Sequence, residues 1–315
     1  IWSILMDIEA LRTPESAFQN LPDWPYQPKY ISDLHGFGTL RLHYIDEGPE
    51  NAKDIFLCLH GQPTWSYLYR KMIPVFLAAG ARVIAPDWFG FGRSDKPTHD
   101  ASYTYNFHRN TILSFLKHLN LKNITLVLQD WGGLLGLTLP MAAPDRFKRL
   151  LIMNTALAVG QSPGQGFEDW RSFSDAHPDM DIARLMARAV PILSREEAEA
   201  YAAPFPDIFY KAGVRRFPQL VMTDPKMEGV DISQKSQAFL RDRWNGESFM
   251  AIGMQDPVLG KDIMKELHTQ IRGCPEPLYL NEAGHFVPEW GEDIAKAALS
   301  HWGLKSRNQK GGGNV

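Results

Sequence analysis

Asp130, Asp256 and His285 each follow a short apolar run, and in that chain order they are the parts of a nucleophile, an acid and a histidine base. Asp130 ends the run Ile124-Thr125-Leu126-Val127-Leu128-Gln129, and Gly132 and Gly133 open a second apolar run behind it. The pattern reads as a buried strand, a sharp turn and a helix. Such a turn lifts one side chain above a sheet and aims the following backbone N–H groups at the space over it. A carboxylate so placed can attack carbon and form an ester. His285 would then take a proton from water, with Asp256 holding its other ring nitrogen. Taken singly, each residue has a plainer meaning: an N-cap for Asp130, a turn for Asp256-Pro257, a satisfied histidine for His285. The catalytic reading rests on all three projecting from one sheet edge.

The elements needed to place them there can be read along the chain. Leu40 to Tyr44 alternates apolar and polar residues, as in a half-exposed antiparallel strand. Ile55 to Leu59 is apolar throughout and delivers His60-Gly61-Gln62-Pro63-Thr64-Trp65 to its carboxyl end, where open parallel sheets bind ligands. Arg82 to Pro86 is the next strand, followed by the glycine-punctuated loop Asp87 to Asp95, which lacks the lysine and the helix of a phosphate cradle. Tyr105 to Leu119 carries a helical apolar stripe, Trp131 to Met141 an apolar helix, and Leu150 to Met153 another buried strand. The alternation predicts an α/β fold with a mostly parallel sheet between helices.

After Asn154 the rhythm breaks. Residues 156–227 read as short helices and loops, including Asp181 to Ala189 and Arg195 to Tyr201, without a convincing strand. A helical insertion at the carboxyl edge of a parallel sheet lies over the site as a lid. The expected division is a core of 1–155 and 228–315 with a cap of 156–227. The sheet resumes at Ser248 to Gly253 and again at Pro277 to Leu280, and Pro288 to Trp302 is the last helix expected.

Composition narrows the function. With 33 basic and 36 acidic residues mixed along 315, no basic stripe argues for nucleic acid. No run approaches the ~18 apolar residues of a membrane span. Cys58 and Cys274 make neither a metal spacing nor a disulfide framework, which suits a reducing, cytoplasmic setting. No large apolar surface stripe is evident, so a monomer is expected. Met6 reads as a start preceded by an extension, and Lys305 to Val315 as a frayed tail.

The motifs His60-Gly61-Gln62-Pro63-Thr64-Trp65-Ser66-Tyr67-Leu68-Tyr69-Arg70, Asp87-Trp88-Phe89-Gly90-Phe91-Gly92, Gln129-Asp130-Trp131-Gly132-Gly133 and Gly284-His285-Phe286 resemble those of haloalkane dehalogenases. The likeness runs from Leu11-Arg12-Thr13-Pro14 to the last helix and favours the branch with an Asp–His–Asp triad and two halide-holding tryptophans. It implies the α/β-hydrolase fold: an eight-stranded sheet flanked by helices, with the cap inserted after the sixth strand. It also implies a mechanism without metal or other cofactor, whose partners are a small haloalkane, water and the released halide. Asp130 would displace halide and form an alkyl ester, and His285 would activate water to hydrolyse it to a primary alcohol. The oxyanion would sit on the backbone N–H groups of Gln62 and Trp131. The halide donors would be the indoles of Trp131 and Trp170, and the substrate pocket would draw on Phe167, Phe173, Phe217, Pro218 and Val221.

Two departures from family patterns bear on the site. Leu128 stands where the strict elbow pattern has glycine, and Gln62 stands where glutamate is expected in this branch. The neutral amide suggests a further N–H donor to the halide or to a water. Epoxide hydrolases share the Asp nucleophile but use two lid tyrosines, for which Tyr201 and Tyr210 are available. A fluoroacetate dehalogenase would need cations at the elbow, where none occurs. A binding protein without turnover is disfavoured by the intact triad, and a serine esterase by the absence of an elbow serine.

Overall fold

The computed structural model describes residues 8–304, so the expectations for the extension before Met6 and for the tail from Lys305 fall outside it. Eight strands form the main sheet: β1 Lys29–Ile31, β2 Leu42–Glu47, β3 Ile55–Leu59, β4 Arg82–Pro86, β5 Ile124–Gln129, β6 Phe147–Met153, β7 Glu247–Gly253 and β8 Leu278–Leu280. Their spatial order is β8-β7-β6-β5-β3-β4-β2-β1. The strands from β3 to β8 pair in parallel, whereas β2 runs antiparallel to β4 and to β1. Every residue of β3 and β5 is buried, as two covered faces require. Each Leu, Ile or Val so enclosed contributes roughly 1.5–3 kcal/mol relative to exposure. The register that sets Leu57 beside Leu126 and Leu126 beside Leu150 holds the site-bearing strand ends level.

Several expectations are corrected at element boundaries. Alternation from Leu40 to Tyr44 suggested a half-exposed strand, but Leu42 to Ile45 are all buried. The polar member His43 is paid for by Asp87, whose Oδ2 lies 2.6 Å from its Nδ1. The helix expected over Trp131 to Met141 divides into Trp131–Gly136 and Leu139–Ala142. Pro140 explains the break, since it has no N–H for the carbonyl a turn earlier. The last helix likewise begins as a tight turn, Val287–Trp290, before the regular Gly291–His301.

Between β6 and β7 the chain forms the helices Gln165–Ala176, Ile182–Ala189, Arg195–Ala202 and Ala212–Leu220. Two have well-made starts. Asp181 accepts the Arg184 N–H, and Ser194 with Glu197 forms a reciprocal capping box. The third is fastened to the core through charge: Arg70 donates to both Glu289 oxygens, at 2.6 and 2.9 Å, and to Glu197 at 2.8 Å. The following helix, Val230–Asp242, packs on Leu139–Ala142 and so returns to the core.

Candidate active site

Asp130 occupies the N-cap position of the helix Trp131–Gly136, yet its side chain caps nothing, and its backbone sits at φ 52° and ψ −128°. A non-glycine residue held in that region costs of order 1–3 kcal/mol and persists only where the surroundings enforce it. The enforcement is visible. Asp130 N–H donates to the Asn154 carbonyl at 2.9 Å, and the Thr155 hydroxyl donates to the Asp130 carbonyl at 2.6 Å. A side chain at Gly132 would place Cβ 1.9 Å from the Leu59 carbonyl oxygen. Leu128 in the unexpected place fits because its methyl group fills the space that a Cβ on Gly136 would take, at 2.5 Å.

The carboxylate raised by this turn is gripped from two sides. The Gln62 backbone N–H donates to Asp130 Oδ2 at 2.8 Å, and His285 Nε2 lies 3.3 Å from Oδ1. The other ring nitrogen of His285 is 2.8 Å from Asp256 Oδ2. Asn154 Nδ2 donates to that same oxygen at 3.0 Å, and the N–H groups of Val258 and Leu259 donate to Oδ1. Burial pushes the Asp256 carboxyl up, but His285 and these donors outweigh it, leaving its pKa below the ordinary aspartate value. Burial pulls the His285 imidazole down, but Asp256 and Asp130 outweigh it and raise its pKa to about 10.

Glycine at position 61 is required by closeness, since a Cβ there would lie 2.3 Å from Asp130 Oδ2. Gly61→Ala is expected to displace the carboxylate from the Gln62 N–H and to lower turnover about 10²-fold. Halide release measured beside a melting curve separates this from unfolding. The loop Asp87 to Asp95 is no phosphate cradle: Asp87 accepts the Ser66 and Arg93 N–H groups, and Gly92, at φ 53°, lets the chain close over it.

Above the carboxylate lies a cavity of about 390 Å³ lined by Asp130, His285, Gln62, Trp131 and Trp170, with apolar walls that include Phe167, Pro218 and Val221. Neither the Trp131 nor the Trp170 indole N–H has an acceptor among the described residues. Of the five expected pocket residues, Phe173 and Phe217 are corrected. Phe173 is 42% exposed and stacks outward between Trp170 and His177. Phe217 is fully buried behind the wall, 4.7 Å from the Trp131 ring, and backs the indole instead of lining the cavity. The Gln62 side chain donates to the Val214 carbonyl at 3.0 Å, which ties the loop to the lid and commits one of its two amide hydrogens. Tyr201 bonds to Glu289, and neither it nor Tyr210 lines the cavity. Sequence reasoning missed Asn154, whose side chain donates to Asp256 and whose carbonyl accepts the Asp130 N–H. A polar residue directly after an apolar strand was the available signal.

A strained turn at the carboxyl edge of this sheet order, raising a carboxylate beside a histidine bonded to a second carboxylate, is the arrangement of an α/β-hydrolase. Residues 54–292 match the model of the alpha/beta hydrolase fold family. The chain is 43% identical to a haloalkane dehalogenase of Psychrobacter cryohalolentis over 92% of its length and 96% of the relative's. It is 40% identical to one of Mycolicibacterium paratuberculosis, covering 93% and 98%. Among solved structures, the tetrameric haloalkane dehalogenase DpaA from Paraglaciecola agarilytica superposes with a TM-score of 0.91 at 52% identity, covering 93% and 98%. The chain belongs to the haloalkane dehalogenase family of α/β-hydrolases.

Proposed function

We propose that this enzyme hydrolyses haloalkanes through a covalent ester on Asp130. One observation carries the reading most: the elbow residue is a carboxylate held by the Gln62 N–H and facing a cavity that two unpartnered indole N–H groups also line. Asp130 attacks the halogen-bearing carbon, the C–O bond forms, and halide departs with the bonding pair toward Trp131 and Trp170. Serine would leave an ether that water does not open, so the aspartate is chemically necessary. Water then gives a proton to His285 Nε2 and attacks the ester carbonyl. The oxyanion is held by the Gln62 N–H and by the Trp131 N–H, one of the unsatisfied donors of a helix start. Collapse releases the alcohol and restores the carboxylate, with Asp256 supporting the imidazolium throughout.

Halide release from 1-bromobutane and 1,2-dibromoethane, run beside styrene oxide consumption, tests the reading. Epoxide turnover without halide release would replace it, but the cavity supplies neither of the lid tyrosines that chemistry uses. Trp170→Phe is expected to weaken bromide binding roughly 10-fold or more, the value of a hydrogen bond to a charged group. Fluorescence titration with bromide measures it.

The core of 1–155 and 228–315 and the cap of 156–227 follow from the same reading, since the insertion supplies Phe167 and Trp170 from its first helix, Leu185 from its second, and Pro218 with the following Val221 from its last. Cys58 and Cys274 are free, in keeping with a cytoplasmic enzyme. Among the described residues no helix is long and apolar enough to cross a membrane. The monomer expected from the sequence meets a tetrameric relative. Light scattering decides: a mass near 35.7 kDa keeps the monomer, and four times that replaces it.

A further inference from the structure

The cavity lining carries charged residues at Asp130, His285 and Arg188 alone. The first two belong to the reaction. Arg188 lies in the last turn of the helix Ile182–Ala189, between the lining residues Leu185 and Ala189, and is exposed to solvent. It therefore stands where the cavity meets water. The rim residues Gln255 and Pro257 are also exposed and bring no charge.

Three other cap arginines are committed. Arg171 pairs with Glu168, Arg195 with Glu199 and Arg215 with Asp100. Arg188 has no side-chain hydrogen bond or ion pair among the described residues, and neither does Arg184 one turn earlier, whose backbone N–H alone is taken by Asp181. Among the described residues Arg188 is thus an unpaired cation at the rim of a largely apolar cavity, with the one carboxylate of its own helix, Asp181, at the opposite end as N-cap. A halogenated acid with only one or two carbons between the halogen and the carboxylate would bring its carboxylate against Asp130, which like-charge repulsion opposes. A longer chain places the two charges apart and the anion at the rim.

From this we propose that the substrates include haloalkanes bearing an anionic group at the end remote from the halogen, ω-halocarboxylates being the simplest, with that group paired to Arg188. The inference rests on the dehalogenase reading and adds a substrate class to it. The chemistry is unchanged: the carbon–bromine bond of 6-bromohexanoate breaks as the Asp130 ester forms, and hydrolysis yields 6-hydroxyhexanoate, bromide and a proton. The remote carboxylate takes no part in bond making. Its contribution is to affinity and approach.

The test reads the ratio of kcat/KM for 6-bromohexanoate to that for 1-bromohexane in the unaltered enzyme, Arg188→Gln and Arg188→Glu, at low and high salt. An ion pair at an exposed rim predicts that the ratio falls about fivefold in Arg188→Gln and further in Arg188→Glu. In the unaltered enzyme it should also fall as salt screens the pair. The ratio should drop for 3-bromopropionate against 1-bromopropane, where the carboxylate sits too near Asp130. A ratio that is the same in all three proteins overturns the proposal. So does a change confined to bromide inhibition, which would make Arg188 a station for departing halide. Turnover of 1-bromohexane with none of 6-bromohexanoate overturns this inference while leaving the dehalogenase reading intact. Release of bromide from neither substrate removes both.

Discussion

Asp130→Ala is expected to abolish halide release, with a loss on the order of 10⁵-fold or more, because on the proposed mechanism it removes the carboxylate that attacks carbon. The variant should keep its fold. Asp130 caps no helix through its side chain, and the backbone bonds to Asn154 and Thr155 that hold the turn do not use the carboxylate. It should also keep its affinity for bromide, since the indoles of Trp131 and Trp170 are untouched. Bromide titration and a melting curve establish that the protein is intact, and substrate consumption under enzyme excess then measures the loss. Residual single-turnover chemistry close to that of the unaltered enzyme would mean that water attacks substrate directly.

His285→Phe produces a different defect. Halide should appear in a burst of one equivalent per enzyme and then stop, because alkylation needs only the carboxylate whereas hydrolysis needs a base. The electrostatics give this step a pH dependence. In the free enzyme, burial lowers the imidazole pKa, but Asp256 and Asp130 raise it to about 10, so His285 is protonated near neutral pH. Alkylation turns Asp130 into a neutral ester and removes its share of the upward push. The pKa therefore falls when a neutral imidazole is required. Hydrolysis of the ester should accelerate as pH rises through this lowered value, while the halide burst responds less. Rapid-mixing measurements of both phases across pH 6–10 separate them.

The same pKa bears on stability. A histidine at 6.5 when unfolded and about 10 when folded stabilises the fold in its protonated form. That contribution is complete below 6.5 and is lost as pH rises through about 10. Melting temperatures of the unaltered enzyme should therefore fall relative to His285→Phe over that window.

The meeting of Asp130, Asp256 and His285 was legible because each follows an apolar strand, a local signal that survives without coordinates. The helical cap was legible as a break in alternation. Residues 165–176 and 212–220 nonetheless gave no clear helix, since Gly166 and Pro218 weaken the pattern. Gly166 proves to be set by packing: a Cβ there would lie 1.8 Å from the Pro257 carbonyl oxygen, where the helix bearing Trp170 meets the loop bearing Asp256. Directions inside the cap were not legible. Phe173 and Phe217 are equally apolar in sequence, yet one faces solvent and the other supports Trp131 from behind. His43 was misjudged because an isolated polar residue in a strand reads as exposed until its buried partner Asp87, far along the chain, is known.

The covalent ester is the centre of this account, and a single turnover in H2(18)O tests it on the unaltered enzyme. With enzyme in excess over 1-bromobutane, the butanol oxygen should come from Asp130, so the alcohol should carry ordinary oxygen. The heavy isotope should appear in the Asp130 carboxylate, found by mass spectrometry of the peptide that contains it. Butanol carrying the label, with an unlabelled Asp130 peptide, would show that water attacks the substrate carbon directly and would contradict the ester mechanism.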